Sequence, residues 1–276
     1  MVPLRRPSCV LLLFVLLLFG NDAAAQTARF TRLGAEVIEA RLKTASQDNT
    51  KRREQLQALF QAAGCAEGQL AAQAVAGSKQ PNVICTLPGE TQSIILVGAH
   101  HDTAFGSPGA ADNWSGACLL PSLFESLRNV PRKHTFVFVG FTEEKGLRGS
   151  AFYVKTLKAE KAPLPRAMIN LDVLGLSFTK VWLSEADPRL VAMLGDIAAS
   201  LRAPLQAVNV ERVGRSDSEA FKKAGVPVLS IHSLEQKHLR LLHTRDDELS
   251  NIQASDYYQT YHLLAAYLAY LDKALP

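Results

Sequence analysis

The chain has little charge imbalance, few cysteines and no long apolar run beyond its first residues, and each scarcity removes a class of function. Thirty Lys and Arg stand against 26 Asp and Glu, and a formal net charge of +4 is too mild for an electrostatic footprint on nucleic acid. The one basic cluster, Lys51-Arg52-Arg53 beside Glu54 at an expected helix start, reads as a solvated face and names no partner. The apolar run at residues 9–19 falls short of the ~20 residues needed to cross a bilayer. Arg5 and Arg6 precede it and Ala23-Ala24-Ala25 follow it, the pattern of a secretory signal peptide (residues 1–25) cut before Gln26. Export without stable membrane association is therefore expected, with residues 26–276 forming a single domain. Cys9 precedes the apolar core and does not read as a lipid-attachment site. The mature chain keeps Cys65, Cys85 and Cys118, enough for one disulfide, expected between Cys65 and Cys85, and one buried structural thiol. No internal repeat or low-complexity linker divides the chain.

What is present is a regular succession of elements. Phe30, Leu33, Val37 and Ile38 recur at helical spacing, as do Leu56, Leu59, Phe60 and Ala63 before Gly64. Residues 83–87 and 94–97 read as strands joined by Pro88-Gly89 in a hairpin. A helix at 118–128, a buried strand at 135–141, a helix at 148–158 and a strand at 167–171 follow. Strands are then expected at 180–183, 205–210 and 226–231, with helices at 188–201, capped by Asp187, and at 218–224. The closing helix carries Tyr257, Tyr261, Leu264, Leu268 and Leu271 as one apolar stripe, read as core packing. Strands alternating with helices predict an α/β fold, a three-layer α/β/α sandwich around a mixed, mostly parallel sheet.

Polar chemistry collects behind the strand at 93–97, in GAHHDTAFGSPGAADNWSG over residues 98–116. Such positions lie at the sheet edge where α/β proteins place their sites. Alternation puts His100 and Asp102 on one face and turns His101 away. A histidine beside a carboxylate suits a metal ligand of fixed tautomer, and taken alone it equally suits a polar strand end. Later strand ends and loops add Asp112, the pair Glu143-Glu144, Asp172 and His243. Carboxylates gathered at one edge repel and raise one another's pKa unless a cation sits among them, so two divalent ions are expected. Nitrogen and oxygen donors without thiolates suit zinc, with cobalt or manganese possible in the same positions.

In order and spacing, GAHHD, ADNWSG, FTEEKGLRGS, NLDVLG, GRSDSEAF and HTRDD resemble the secreted dizinc aminopeptidases of the aminopeptidase Y and bacterial leucine aminopeptidase type. The likeness runs from about residue 83 to the closing helix and implies a zinc-peptidase, phosphorylase/hydrolase-like fold. Residues 29–64 carry no recognisable motif. The resemblance implies that His100 and Asp172 hold one zinc and Glu144 and His243 the other. Asp112 would bridge the two ions, its peptide to Asn113 being cis. Glu143 would be the general base and Asp102 the group that orients His100. Peptide or protein N-termini would be the substrates, cleaved through a metal-activated water. One departure is Leu242, where many of these enzymes carry a tyrosine; without a phenol, more oxyanion stabilisation falls to the metal, and Arg215 is a candidate replacement or substrate contact. The rivals on the same scaffold are a glutaminyl-peptide cyclase and a dizinc carboxypeptidase or dipeptidase. A non-catalytic binding module would lack the full ligand set retained here. His101, His134, His232, His238 and His262 match no ligand position.

Overall fold

One sheet of eight strands runs through the residues described by the structure, a computed structural model covering 29–210 and 214–276 and, for Glu144, the backbone alone. The expected signal peptide lies outside these residues. In chain order the strands are β1 (Leu70–Gln73), β2 (Asn82–Leu87), β3 (Ile94–His100), β4 (Thr135–Phe141), β5 (Ala167–Leu171), β6 (Lys180–Val181), β7 (Gln206–Ala207) and β8 (Val228–His232). Their order across the sheet is β1-β2-β4-β3-β5-β8-β6-β7. The central run β4-β3-β5-β8 is parallel, whereas β1-β2, β2-β4 and β6-β8 pair antiparallel, so the sheet is mixed around a parallel centre.

Strand alternation then builds the two helical layers. Ile95, Val97 and Ala99 of β3 and Phe136 and Phe138 of β4 belong to one apolar cluster. With them pack α1 (Ala35–Leu42), α2 (Asn49–Ala62), the short α3 (Ser115–Ala117), α4 (Leu119–Arg128), α6 (Pro188–Leu201) and α8 (Ala254–Ala274). The intervening Leu96, Val137 and Val139 point to the opposite face, toward Tyr153 of α5 (Arg148–Ala159) and Phe221 of α7 (Ser218–Lys223). Period two in β3 and β4 is thus the physical cause of the three layers. Fully buried rings such as Phe138, edge-on to Phe124, contribute roughly 1.5–3 kcal/mol each by burial. The stripe of α8 is core, as its spacing predicts: Tyr257, Tyr261, Leu264, Leu268 and Leu271 are all buried. Asp187 caps α6, accepting from the backbone N–H of Arg189 at 2.9 Å and of Leu190 at 3.3 Å.

Three expectations need correction. β4 inserts between β2 and β3, pairing with both, so no hairpin forms across Pro88-Gly89. The strand TFVFVGF is apolar on both faces and takes an interior position, while β2 finds its second partner in β1, whose sequence LAAQ carries little pattern. Only Gln206–Ala207 of the expected strand at 205–210 pairs, as an exposed edge. Arg52, expected to face solvent, is completely buried. Cys65 and Cys85 are disulfide-bonded, tying the exit of α2 to β2. Cys118 is buried 3.2 Å from the Tyr257 hydroxyl, and burial pushes its thiol up to about 12, as befits a structural thiol. Among the described residues no helix is long and apolar enough to cross a membrane.

Candidate functional site

Because β4, β3, β5 and β8 are parallel, their carboxyl ends share one edge, and the expected site residues arrive there from different strands. His100 is the last residue of β3, Glu143 follows β4 by two positions, and Asp172 directly follows β5. Asp112 lies on a buried turn over Ala110–Trp114, and the Asp112–Asn113 peptide is cis, as the resemblance implied. His243 comes from the loop before α8. Glu143 and His243 both hold left-handed backbone, with φ of 56° and 61°, a conformation that costs non-glycine residues of order 1–3 kcal/mol and gathers at functional sites.

Asp112 is the centre of the cluster. Its Oδ1 lies 3.1 Å from His100 Nε2 and its Oδ2 lies 3.0 Å from His243 Nε2, so one carboxylate faces two imidazoles. Burial alone would raise its pKa, but the hydrogen bonds from His100 and His243 prevail and hold it well below the usual carboxylate range. Asp172 Oδ1 is 3.5 Å from the same His100 nitrogen and is a buried oxygen without a hydrogen bond. Burial, only partly offset by His100, raises the Asp172 pKa. On the other side of the ring, His100 Nδ1 is 3.2 Å from the Asp102 backbone carbonyl and 3.7 Å from its carboxylate, so the nearer group is the main chain. Glu143 is half-buried and accepts from the Ser78 hydroxyl at 3.3 Å. The Glu144 side chain lies outside the described residues. Arg215 is largely exposed and hydrogen-bonds Glu219 through Nε at 2.5 Å and Nη2 at 2.9 Å. His101 turns away into the core against Gly140, and burial lowers its pKa to about 3.

The donor set fits a divalent cation. His100, Asp112 and Asp172 each offer a ligand atom, all within 4.8 Å of one another. One imidazole N–H cannot satisfy both carboxylates, and the orphaned buried Oδ1 of Asp172 marks where positive charge is wanted. Nitrogen and oxygen donors are those of zinc and its neighbours.

Residues that sequence reasoning left without a role hold this cluster together through the backbone. Asn113 donates to the Leu171 carbonyl at 2.8 Å and accepts from Gly116 N–H at 3.0 Å, stitching the Asp112 turn to the end of β5. Gly116 is needed for that approach: a Cβ there would lie 2.5 Å from Asn113 Oδ1 and 2.6 Å from the Leu171 carbonyl. Asp247 accepts the N–H groups of Ala111 at 2.7 Å and Asp112 at 3.0 Å, clipping the His243 loop to the same turn.

The sequence model of peptidase family M28 matches residues 82–268. The chain belongs to peptidase family M28. Relatives include leupeptin-inactivating enzyme 1 of Streptomyces exfoliatus, 32% identical over 57% of this chain and 36% of that protein. Another is aminopeptidase YwaD of Bacillus subtilis, 29% identical over 56% of this chain and 34% of that protein. The matched stretch is thus about a third of each relative. Similar solved structures are the LapA aminopeptidase of Legionella pneumophila (TM-score 0.73, 19% identity, 90% of this chain and 77% of that one) and an Acidobacteriales bacterium glutaminyl cyclase (TM-score 0.73, 20% identity, 91% and 99%). At such identities these two likenesses establish a shared fold alone.

In this M28 chain two cavities meet at the cluster, and Asp112 and His243 line both. One, of about 550 Å³ including the solvent at its mouth, is walled by Val173, Trp182, Val210, Ile231, Leu234 and Leu242, with Arg215 also lining it. The other, about 1510 Å³ including the solvent at its mouth, runs past Glu143 toward Asn49, Lys79, Lys145 and the fully exposed ring of Phe105. Leu242, where a phenol was missed, is therefore part of an apolar wall.

Proposed function

We infer that the chain is an exported, zinc-dependent aminopeptidase that hydrolyses N-terminal peptide bonds. The observation that carries the reading is the carboxylate of Asp112 facing His100 and His243 from its two oxygens, at the junction of an apolar pocket and a polar cleft. The residues that would hold two ions are His100 and Asp172 for one, Glu144 and His243 for the other, and Asp112 for both. When bound, such ions supply Lewis acidity and acidify a water. Asp102 would fix the tautomer of His100 through its carbonyl or carboxylate. Glu143, on the cleft side, would take the proton of the attacking water at its carboxylate and return it to the leaving amine. The apolar pocket suits the first side chain of the peptide, with Leu242 packing against it and Arg215 at its wall, while the leaving peptide would lie along the cleft. The Cys65–Cys85 bond supports an oxidising destination, in keeping with the leader expected from the sequence of residues 1–25.

The deciding experiment pairs metal analysis of the purified protein with a panel of free, N-acetylated and N-glutaminyl peptides. The expected result is about two zinc ions per chain and release of the first residue from free peptides alone, abolished by a chelator. Equal cleavage of acetylated peptides would reject an aminopeptidase. The size match with the glutaminyl cyclase keeps cyclisation as the second reading. Ammonia released from N-glutaminyl peptides, without cleavage, would establish it instead.

A further inference from the structure

Helix α2 lies outside the stretch matched by the family model, yet its first turn reaches the loop that joins His100 to Asp112. Arg52 is fully buried, and its guanidinium spends its donors on main-chain carbonyls. Nε donates to His101 O at 2.5 Å, Nη1 to Pro108 O and Gly109 O at 3.2 Å each, and Nη2 to Gly109 O at 3.1 Å. A further bond from Nη1 to Ser46 O at 3.0 Å ties the fork to its own segment. One planar group therefore grips both ends of the loop between the proposed ligands, next to His100 at one end and three residues before Asp112 at the other. Asn49, one turn earlier on the same helix face, adds a second hold near the His100 end of the loop. Its Nδ2 donates to Thr103 O at 3.2 Å and its Oδ1 accepts Thr103 N–H at 2.9 Å. The guanidinium also lies 5.2 Å from the ring centroid of Trp114, just beyond Asp112.

We propose that Arg52, assisted by Asn49, is a positioning residue of the metal site, so that the N-terminal helical segment sets the geometry in which His100 and Asp112 meet. The inference rests on the reading of those two residues as metal ligands. A side chain that merely filled space would not need hydrogen-bond contacts to four main-chain carbonyls, three of them in one loop. Nor would lysine serve, because a point charge with three donors cannot bridge carbonyls at both ends of the loop as a rigid fork does. The buried cation also sits among Asp102, Asp112 and Asp247, so it offsets their repulsion while the loop is empty of metal.

The test uses the full mature protein as wild type, Arg52→Lys and Asn49→Ala. Three quantities are read below the melting temperature of each: hydrogen exchange of the metal-free loop at residues 101–112, zinc affinity by chelator competition, and kcat with KM. Exchange in that loop should quicken roughly tenfold or more, about what one lost hydrogen bond is worth, while β4 and α8 keep wild-type rates. Zinc should bind ~10- to 100-fold more weakly, and activity at subsaturating zinc should fall through kcat with KM nearly unchanged. Asn49→Ala removes only two bonds near the surface and answers the question should Arg52→Lys fail to fold. Folded variants with a lowered Tm but wild-type loop exchange and zinc affinity would overturn the proposal and leave Arg52 a purely structural residue. A wild-type protein that takes up no zinc would overturn the metallopeptidase reading, and the exchange data would still decide whether Arg52 holds the loop.

Discussion

Replacing Asp247 by Asn tests whether the Asp112 turn depends on the clip that joins it to the His243 loop. The two side chains have nearly the same shape, so packing is preserved and the change is in hydrogen-bond character. The carboxylate accepts from Ala111 N–H at 2.7 Å and from Asp112 N–H at 3.0 Å, and its residue's carbonyl accepts from Ala110 N–H at 3.1 Å. An amide offers one acceptor and one donor, so one of the two side-chain bonds is replaced by an NH₂ facing an N–H. A hydrogen bond to a charged group is worth about 1.5–3 kcal/mol, and the donor left buried costs about 1–3 kcal/mol. Against this, the variant no longer buries a charge. That relief is real, because burial raises the Asp247 pKa despite the two N–H donors, and Asp112 adds repulsion. The net is a loss of about 2–4 kcal/mol, which for a domain of this size lowers Tm by roughly 5–15 °C. Thermal and urea unfolding of metal-free Asp247→Asn at neutral pH measures it. An unchanged Tm would refute the claim that these bonds hold the turn.

Other consequences follow from the same geometry. Glu143→Ala should keep its zinc yet lose ~10²- to 10⁴-fold in kcat, checked by metal content and turnover in one preparation; loss of zinc would make Glu143 a ligand rather than a base. Asp112→Asn should weaken both metal positions and His243→Ala mainly one, read by zinc stoichiometry. His232 is buried with Nε2 2.9 Å from Val208 O and Nδ1 accepting Leu234 N–H, and burial lowers its pKa from 6.5 to about 4. The unfolded chain then binds the extra proton, so its contribution is whole above about pH 6.5 and shrinks as pH falls toward 4, by about 3 kcal/mol. In metal-free protein His232→Gln should flatten the fall of stability with acid over that window, and an unchanged slope would reject it. Replacing Cys65 and Cys85 together by Ser should cost about 3 kcal/mol in urea unfolding, from the loop they close across a separation of 20 residues.

How far the sequence could be read depended on what each contact requires of residue type. The sandwich was legible because short apolar runs such as TFVFVGF, buried on both faces, alternate along the chain with segments of 3.6-residue apolar spacing, and β3 and β4 send successive side chains to opposite apolar layers. His100, Asp112, Asp172 and His243 were legible because their chemistry admits few side chains, and the fold brings all four to one edge. Strand order was another matter. β2 and β3 are consecutive and joined by a turn dipeptide, which is the local signal of a hairpin. What separates them is a later strand, TFVFVGF, whose two apolar faces and two paired edges outbid the local turn for the interior position.

The groups that hold the site escaped for a different reason. Arg52 binds the carbonyls of His101, Pro108 and Gly109; Asp247 binds the N–H groups of Ala111 and Asp112; Asn113 binds the carbonyl of Leu171. In each case one partner is main chain, whose carbonyl every residue type supplies and whose N–H all but proline supply, so no complementary side chain exists for a motif to record. The remaining signal lies on the other partner. Arg52 stands four residues before Leu56 and eight before Phe60, on the stripe that α2 buries, and Leu56 and Phe60 are fully buried. A charge on an apolar stripe must find hydrogen bonds inside the protein or the helix cannot pack, since an unpaired buried guanidinium is far too costly. Its periodicity, rather than its charged neighbours Lys51 and Arg53, was the property to weigh. By that measure α2, a helix without a motif, belongs to the site's support, which places part of the cause of its geometry outside residues 82–268, the stretch the family model matches.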